Sequence, residues 1–288
     1  MKKLAIAAAA AAAMTAGVAH AYTMGTFSNG FVVPNVIHDG GNVSTAVGVV
    51  STEATSVFWT FFDQDSKHVT DGCFQMTAND YQPFVWLSNS GVGLQNKRGY
   101  LVFAAATGTT CGGATTIRPA TAQTLAGHAF EYNLSAKDVA YVPVIDGPLG
   151  ITSGADLTTL GAASVASVGG AAVVGNTLYM RYYIDGAAGG DDTRIVVWST
   201  GNQKGTHTVN IFDDKQNRKS VNFDLSFEEL DWFDPETIAG RPADFKDGFI
   251  VWNTGNAAPT LAGSVFSYSV ISAPAFGAVQ TILNPHTR

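Results

Sequence analysis

Thr193-Arg-Ile-Val-Val-Trp-Ser-Thr200, followed shortly by His207-Thr-Val-Asn-Ile-Phe-Asp213, carries the reading from which the fold follows. In both runs β-branched and aromatic residues alternate with small or polar ones, so every second side chain falls on one face of an extended chain. A helix would need apolar residues three and four apart instead. Gly, Asn and Asp separate the runs and follow them, and these residues tolerate tight turns. Two half-buried antiparallel strands joined by a turn satisfy that pattern.

A related passage stands earlier in the chain. Thr45-Ala-Val-Gly-Val-Val-Ser-Thr52 matches the first run, sharing its Thr and its Val-x-Ser-Thr ending, and Val57-Phe-Trp-Thr-Phe-Phe-Asp63 matches the second in closing on Phe-Asp. Gly99-Tyr-Leu-Val-Phe103 pairs with Gly248-Phe-Ile-Val-Trp252. Leu125-Ala-Gly-His-Ala-Phe-Glu-Tyr-Asn-Leu134 pairs with Leu261-Ala-Gly-Ser-Val-Phe-Ser-Tyr-Ser-Val270. Blocks recurring in one order predict an internal repeat. Further alternating runs at Phe31–Ile37 and Val139–Ile145 bring each copy to six or seven short strands, which is an antiparallel β-sandwich of immunoglobulin-like size. The expected fold is therefore all-β, with two tandem β-sandwich repeats over residues 22–150 and 176–288. The first has an inserted loop near residues 104–124, and the Gly-, Ala- and Ser-rich stretch 151–175 reads as a linker. An outer-membrane β-barrel also alternates, but these runs fall short of the roughly ten residues of a tilted spanning strand. The helix-like stretch Ser226–Leu230 is too short to organise a domain.

Composition agrees with this reading. Of 288 residues only 14% are charged, against about 25% in ordinary soluble domains, and sheet proteins cover their exposed faces with Thr, Ser and Asn where helical ones use Lys and Glu. Met1-Lys2-Lys3, the Ala-rich run to Val18 and Ala19-His20-Ala21 form the three parts of an export signal, with cleavage expected after Ala21. No later apolar run is long enough for a transmembrane segment. The mature chain is thus expected outside the cytoplasm, in the periplasm, at the cell surface or released. Without Lys2 and Lys3, 14 basic residues face 23 acidic ones, a formal charge of −9. That balance repels polyanions, so nucleic acid is not an expected partner.

Export also frames the two cysteines. Cys73 follows the first Phe-Asp turn and Cys111 lies in the inserted loop, so a disulfide between them would pin that loop to a neighbouring strand. No Cys-x-x-Cys spacing points to redox chemistry instead.

Chemistry is sparse. The five histidines after residue 21 never stand two, three or four apart, and no zinc-protease pattern, nucleophile elbow or phosphate loop occurs. Acidic groups at Asp63-Gln-Asp65, Asp71-Gly72, Asp191-Asp192, Asp213-Asp214 and Asp231–Glu236 offer oxygens suited to calcium. Asp is also a turn residue, and turn chemistry is the expected role, so no cofactor is expected. Among the tryptophans, Trp86 and Trp232 fall in the less regular, Pro-containing stretches Tyr81–Trp86 and Leu230–Pro235, which makes them the candidates for stacking on a ligand. The leading functional expectation is a non-enzymatic secreted or cell-surface structural or interaction protein. Its partner would be a protein or glycan at the cell surface, with self-association through the terminal strand Ala278–Leu283. A carbohydrate-binding module and a secreted hydrolase with dispersed carboxylates are the alternatives.

Overall fold

The computed structural model describes residues 25–91, 93–112, 115–152, 155–161, 164–173, 175–255 and 263–287; the export-signal reading lies outside them. The chain is all-β and its ladders are antiparallel. Its first strands are β1 (Gly30–Val36), β2 (Val43–Ser51), β3 (Thr55–Asp63), β4 (His68–Met76), β5 (Asp80–Val85), β6 (Gly99–Ala105), β7 (Leu125–Asn133), β8 (Asp138–Val142) and β9 (Ile145–Asp146). They form one sheet in the order β4-β3-β6-β1-β9 and another in the order β5-β2-β7-β8. Odd-numbered residues of β3 and β6 point between these sheets. There Phe61 meets Trp86 at 4.4 Å and Phe103 meets Phe84 at 5.2 Å.

After β10 (Leu149–Ile151), β11 (Val165–Val168) and β12 (Ala172–Val173) come β13 (Thr177–Tyr183), β14 (Asp192–Ser199), β15 (Gly205–Asp213), β16 (Arg218–Leu225), β17 (Leu230–Phe233), β18 (Asp247–Asn253), β19 (Ser264–Ala273), β20 (Ala278–Leu283) and β21 (His286–Thr287). Their sheets run β16-β15-β18-β13-β21 and β17-β14-β19-β20, with β12 also on the outer edge of β19. Taken by rank within each half, the two sets of sheet orders are the same. Details recur as well. Asp63 and Asp213 each accept the backbone N–H groups two and four residues on, closing the same turn at 2.7–3.0 Å. Gly99 and Gly248 lie where a Cβ would come within 2.1 Å of the Phe62 carbonyl and 1.8 Å of the Phe212 carbonyl, so no side chain fits there.

The ladders correct the alignment in one place. Leu125 stands opposite Ser51 and Val265 opposite Ser199, so Leu125 corresponds to Val265 and not to Leu261. The Leu-Ala-Gly match is one helical turn's worth of residues out of register, although a shift by an even number keeps each side chain on its own face. Asp71-Gly72 lies inside β4, not in a turn, and Phe227–Glu229 is a bend. The one α-helical turn among the described residues is Trp86–Asn89.

The stretch read as a linker is built into the molecule. β10 and β11 pair with each other, and Leu157, Leu160, Val165 and Val168 are buried in the same apolar cluster as the first half. Its small residues hid this, because they carry no alternation yet permit close approach: a Cβ on Gly169 would meet the Pro148 ring at 2.5 Å. The two halves are also in direct contact. Val196, Trp198, Leu230, Phe266 and Tyr268, from the outer face of β17-β14-β19, join the first half's cluster, and Trp198 lies edge-on to Tyr100 at 5.6 Å. Gln64 closes the seam, accepting from the Leu230 N–H at 3.1 Å and donating to the Leu230 carbonyl at 3.2 Å.

Cys73 and Cys111 are bonded, with their Cα atoms 5.7 Å apart. Among the described residues no helix is long and apolar enough to cross a membrane.

Candidate ligand-binding cleft between the halves

Strand alternation decides what the two candidate tryptophans can do. Trp86 follows Phe84 on the inward parity of β5 and its helical turn, and it is 0% exposed among Trp59, Phe61, Phe84 and His38. It is a core residue and offers no ring to a ligand. The corresponding stretch of the second half gives the opposite outcome. Trp232 pairs with Val196 on the outward parity of β17 and is 39% exposed. The strands are equivalent but the two positions are not: Phe233 stands where Phe84 does, opposite Ile195 and Val47, and Trp232 stands where Pro83 does, on the outward parity.

Trp232 lies where the outer face of β17-β14-β19 runs past the edge of the first half. The upper part of that face is apolar and covered. The lower part carries Arg194 and Asp192 at the outward positions of β14, and it forms the floor of a cleft of about 690 Å³. The β7–β8 hairpin of the first half, with Glu131, Tyr132 and Asp138, forms the opposite wall. The Arg194 guanidinium carbon sits 4.6 Å from the centre of the Trp232 ring, an arrangement in which the cation faces the negative π surface and fixes the plane of the indole.

Acidic groups border this floor. Asp192, Asp234 and Glu236 hold carboxylate oxygens within 4.8 Å of one another. Burial first, and then the neighbouring Asp234, push the Asp192 carboxyl above its usual range. Both aspartates already serve the backbone: Asp192 accepts from the Thr193 N–H at 2.7 Å, and Asp234 accepts from the Glu236 N–H at 2.6 Å, capping the 3-10 turn Pro235–Thr237. The two carboxyls also share a hydrogen bond with each other. Across the cleft, the Asn35 amide donates to Glu131 at 3.5 Å, and Arg98 donates to Asn35 in turn. Burial, above all, lowers the Arg98 pKa, and the Glu131 charge works against that.

The arrangement thus provides an aromatic face, a cation fixed over it and carboxyl acceptors on both walls. Such a set has the chemistry to meet one apolar face and one hydroxyl-bearing edge of a ring-shaped molecule. Of the remaining acidic groups, Asp63 and Asp213 cap their turns, and Asp231 accepts from the Ser226 and Trp232 N–H groups. Arg194 and Glu131 escaped sequence reasoning. The available signal was a single Arg within the otherwise uncharged run Thr193–Thr200. Glu131 reaches the cleft only through the docking of two distant hairpins. Comparison with protein families, curated proteins and solved structures finds no match to this chain.

Proposed function

We propose that the protein is a non-enzymatic interaction protein of an extracytoplasmic compartment, built from two tandem β-sandwich repeats, and that it holds a glycan in the Trp232 cleft. The observation that carries the glycan reading is the exposed Trp232 ring under the Arg194 guanidinium, flanked by Asp192, Asp234 and Glu131. An indole face takes the C–H face of a pyranose, while carboxylates accept from its hydroxyls. The Cys73–Cys111 bond supports an oxidising compartment, and the matching strand orders support the repeat. Binding is favoured over hydrolysis because both aspartates of the acidic group cap backbone.

Tryptophan fluorescence titrated with soluble oligosaccharides of differing charge and linkage tests the reading. At least one should quench the emission saturably, and Trp232→Ala should abolish the change. Arg194→Ala should weaken binding about tenfold, because the indole plane that the guanidinium fixes must then be ordered by the ligand at a cost of about 1–1.5 kcal/mol. Trp86, being buried, supplies an unchanging background. Absence of binding across a broad glycan panel would overturn the reading, and release of new reducing ends would replace it with the hydrolase.

A further inference from the structure

The contact between the two halves joins faces of different kinds. The outer face of the second half's β17-β14-β19-β20 sheet lies on the outer face of the first half's β4-β3-β6-β1-β9 sheet, where Trp198 meets the stacked pair Phe62 and Tyr100. Each half has one face of each kind. The internal contact therefore uses only one from each, and two counterparts remain open at opposite ends of the molecule.

Both open faces keep an aromatic centre like the covered ones. On the first half's β5-β2-β7-β8 sheet, aromatic side chains run across the strands: Tyr81 stacks on His128, His128 meets Phe130 edge-on, and Phe130 meets Tyr141. Tyr81 is 55% exposed and Val139 56%. No outward position of these four strands holds Asp, Glu, Lys or Arg. At the other end, the second half's β16-β15-β18-β13-β21 sheet presents Phe212 stacked on Phe249 at 4.9 Å with Tyr179 beside them. Phe212 and Phe249 pair across β15 and β18 as Phe62 and Tyr100 pair across β3 and β6. The aromatic seat that receives Trp198 inside the molecule is thus present again, half-buried and open. Around it stand the Arg181–Asp247 ion pair, Arg218 opposite Phe212, Asp224 and neutral polar residues, giving an apolar centre with a charged and polar rim.

Open sheet faces with an aromatic centre mark interaction surfaces. We propose that the occupant of each is a second copy of this chain: the Tyr81 face of one molecule docks on the Phe249 face of the next, continuing the contact that already joins the halves. Because the two faces differ, the interface is heterologous, and repetition of one step yields an open filament or a ring, in place of an isologous dimer. The proposal does not depend on the cleft, whose Trp232 and Arg194 lie outside both faces.

Sedimentation velocity on the oxidised protein over a wide concentration range tests it. Wild type should form species that grow with concentration. Tyr81→Asp and Phe249→Asp, each folded by circular dichroism, should each sediment as monomers. Mixed in equal amounts they should form a dimer of twice the monomer mass and nothing larger, since each retains the face that the other lacks. If Phe249→Asp impairs folding, Asn210→Arg places a charge on the same face without removing packing. A monomeric wild type at all concentrations would overturn the proposal, as would a Phe249-face variant that still self-associates, the signature of two Tyr81 faces pairing with each other.

Discussion

Glu229 lies at the seam between the halves, one residue before Leu230, and its Oε2 has no partner among the described residues. Burial pushes its carboxyl up to about 7, partly opposed by the Ser66 hydroxyl and reinforced by Glu228, Asp65 and Asp63. The folded pKa exceeds the unfolded one, so the fold favours the protonated acid. Its penalty is absent below about pH 4.5, grows as pH rises and is complete above about pH 7. Glu229→Gln should therefore leave thermal stability at pH 4 unchanged and raise it at pH 8, by about 2–3 kcal/mol. Melting curves of both proteins at the two pH values check this, and equal gains at both would assign the effect to packing.

At the scale of elements, the disulfide has the largest separable effect. It ties the edge strand β4 to a loop before β7, across a sequence separation of 38 residues. The chain-entropy estimate for such a loop is about 3–4 kcal/mol. Cys73→Ser should lower the free energy of unfolding by that amount, read from the denaturant midpoint, while leaving the strand content by far-ultraviolet circular dichroism unchanged. β4 also illustrates where sequence patterns stop. His68–Met76 is a polar, exposed edge strand whose Asp71-Gly72 reads as a turn. Gly72 is there because Trp59 packs over it, and a Cβ would meet that ring at 2.5 Å. Similarly, the terminal strand Ala278–Leu283 is paired along its length with Tyr268–Ala273, and its Thr281 hydroxyl donates to the Tyr141 carbonyl at 2.7 Å. One edge of the strand is thus used within its own sheet.

For the whole molecule, the consequence is cooperativity. One apolar cluster runs from the first sandwich through the folded connection into Trp198, Phe266 and Tyr268. Wild type should unfold in a single calorimetric transition. Trp198→Ala removes a fully buried indole at the seam and should cost about 3–5 kcal/mol. It should also split the transition in two, with the second half's own cluster, which includes Ile211, Ile250 and Trp252, melting separately. A single, merely lowered transition would show that the folded connection, rather than this face, couples the halves.

The sequence by itself determined the all-β class, most of the longer strands and the pairing of Cys73 with Cys111. Each rests on a local signal: side-chain alternation, turn residues, or the two cysteines of a chain read as exported. It also singled out Trp232, although on grounds that applied equally to Trp86. Only tertiary structure separated these two rings, because Trp86 lies in a buried helical turn after β5 and Trp232 on the outward parity of β17, at the place that Pro83 holds in the first half. The docking of the halves likewise arises from side chains far apart in the chain. Alternation reports that a strand has two faces, and it does not report what covers the second one. Trp198 and Tyr81 both stand on outer faces, and the neighbouring half buries the first and leaves the second open to solvent.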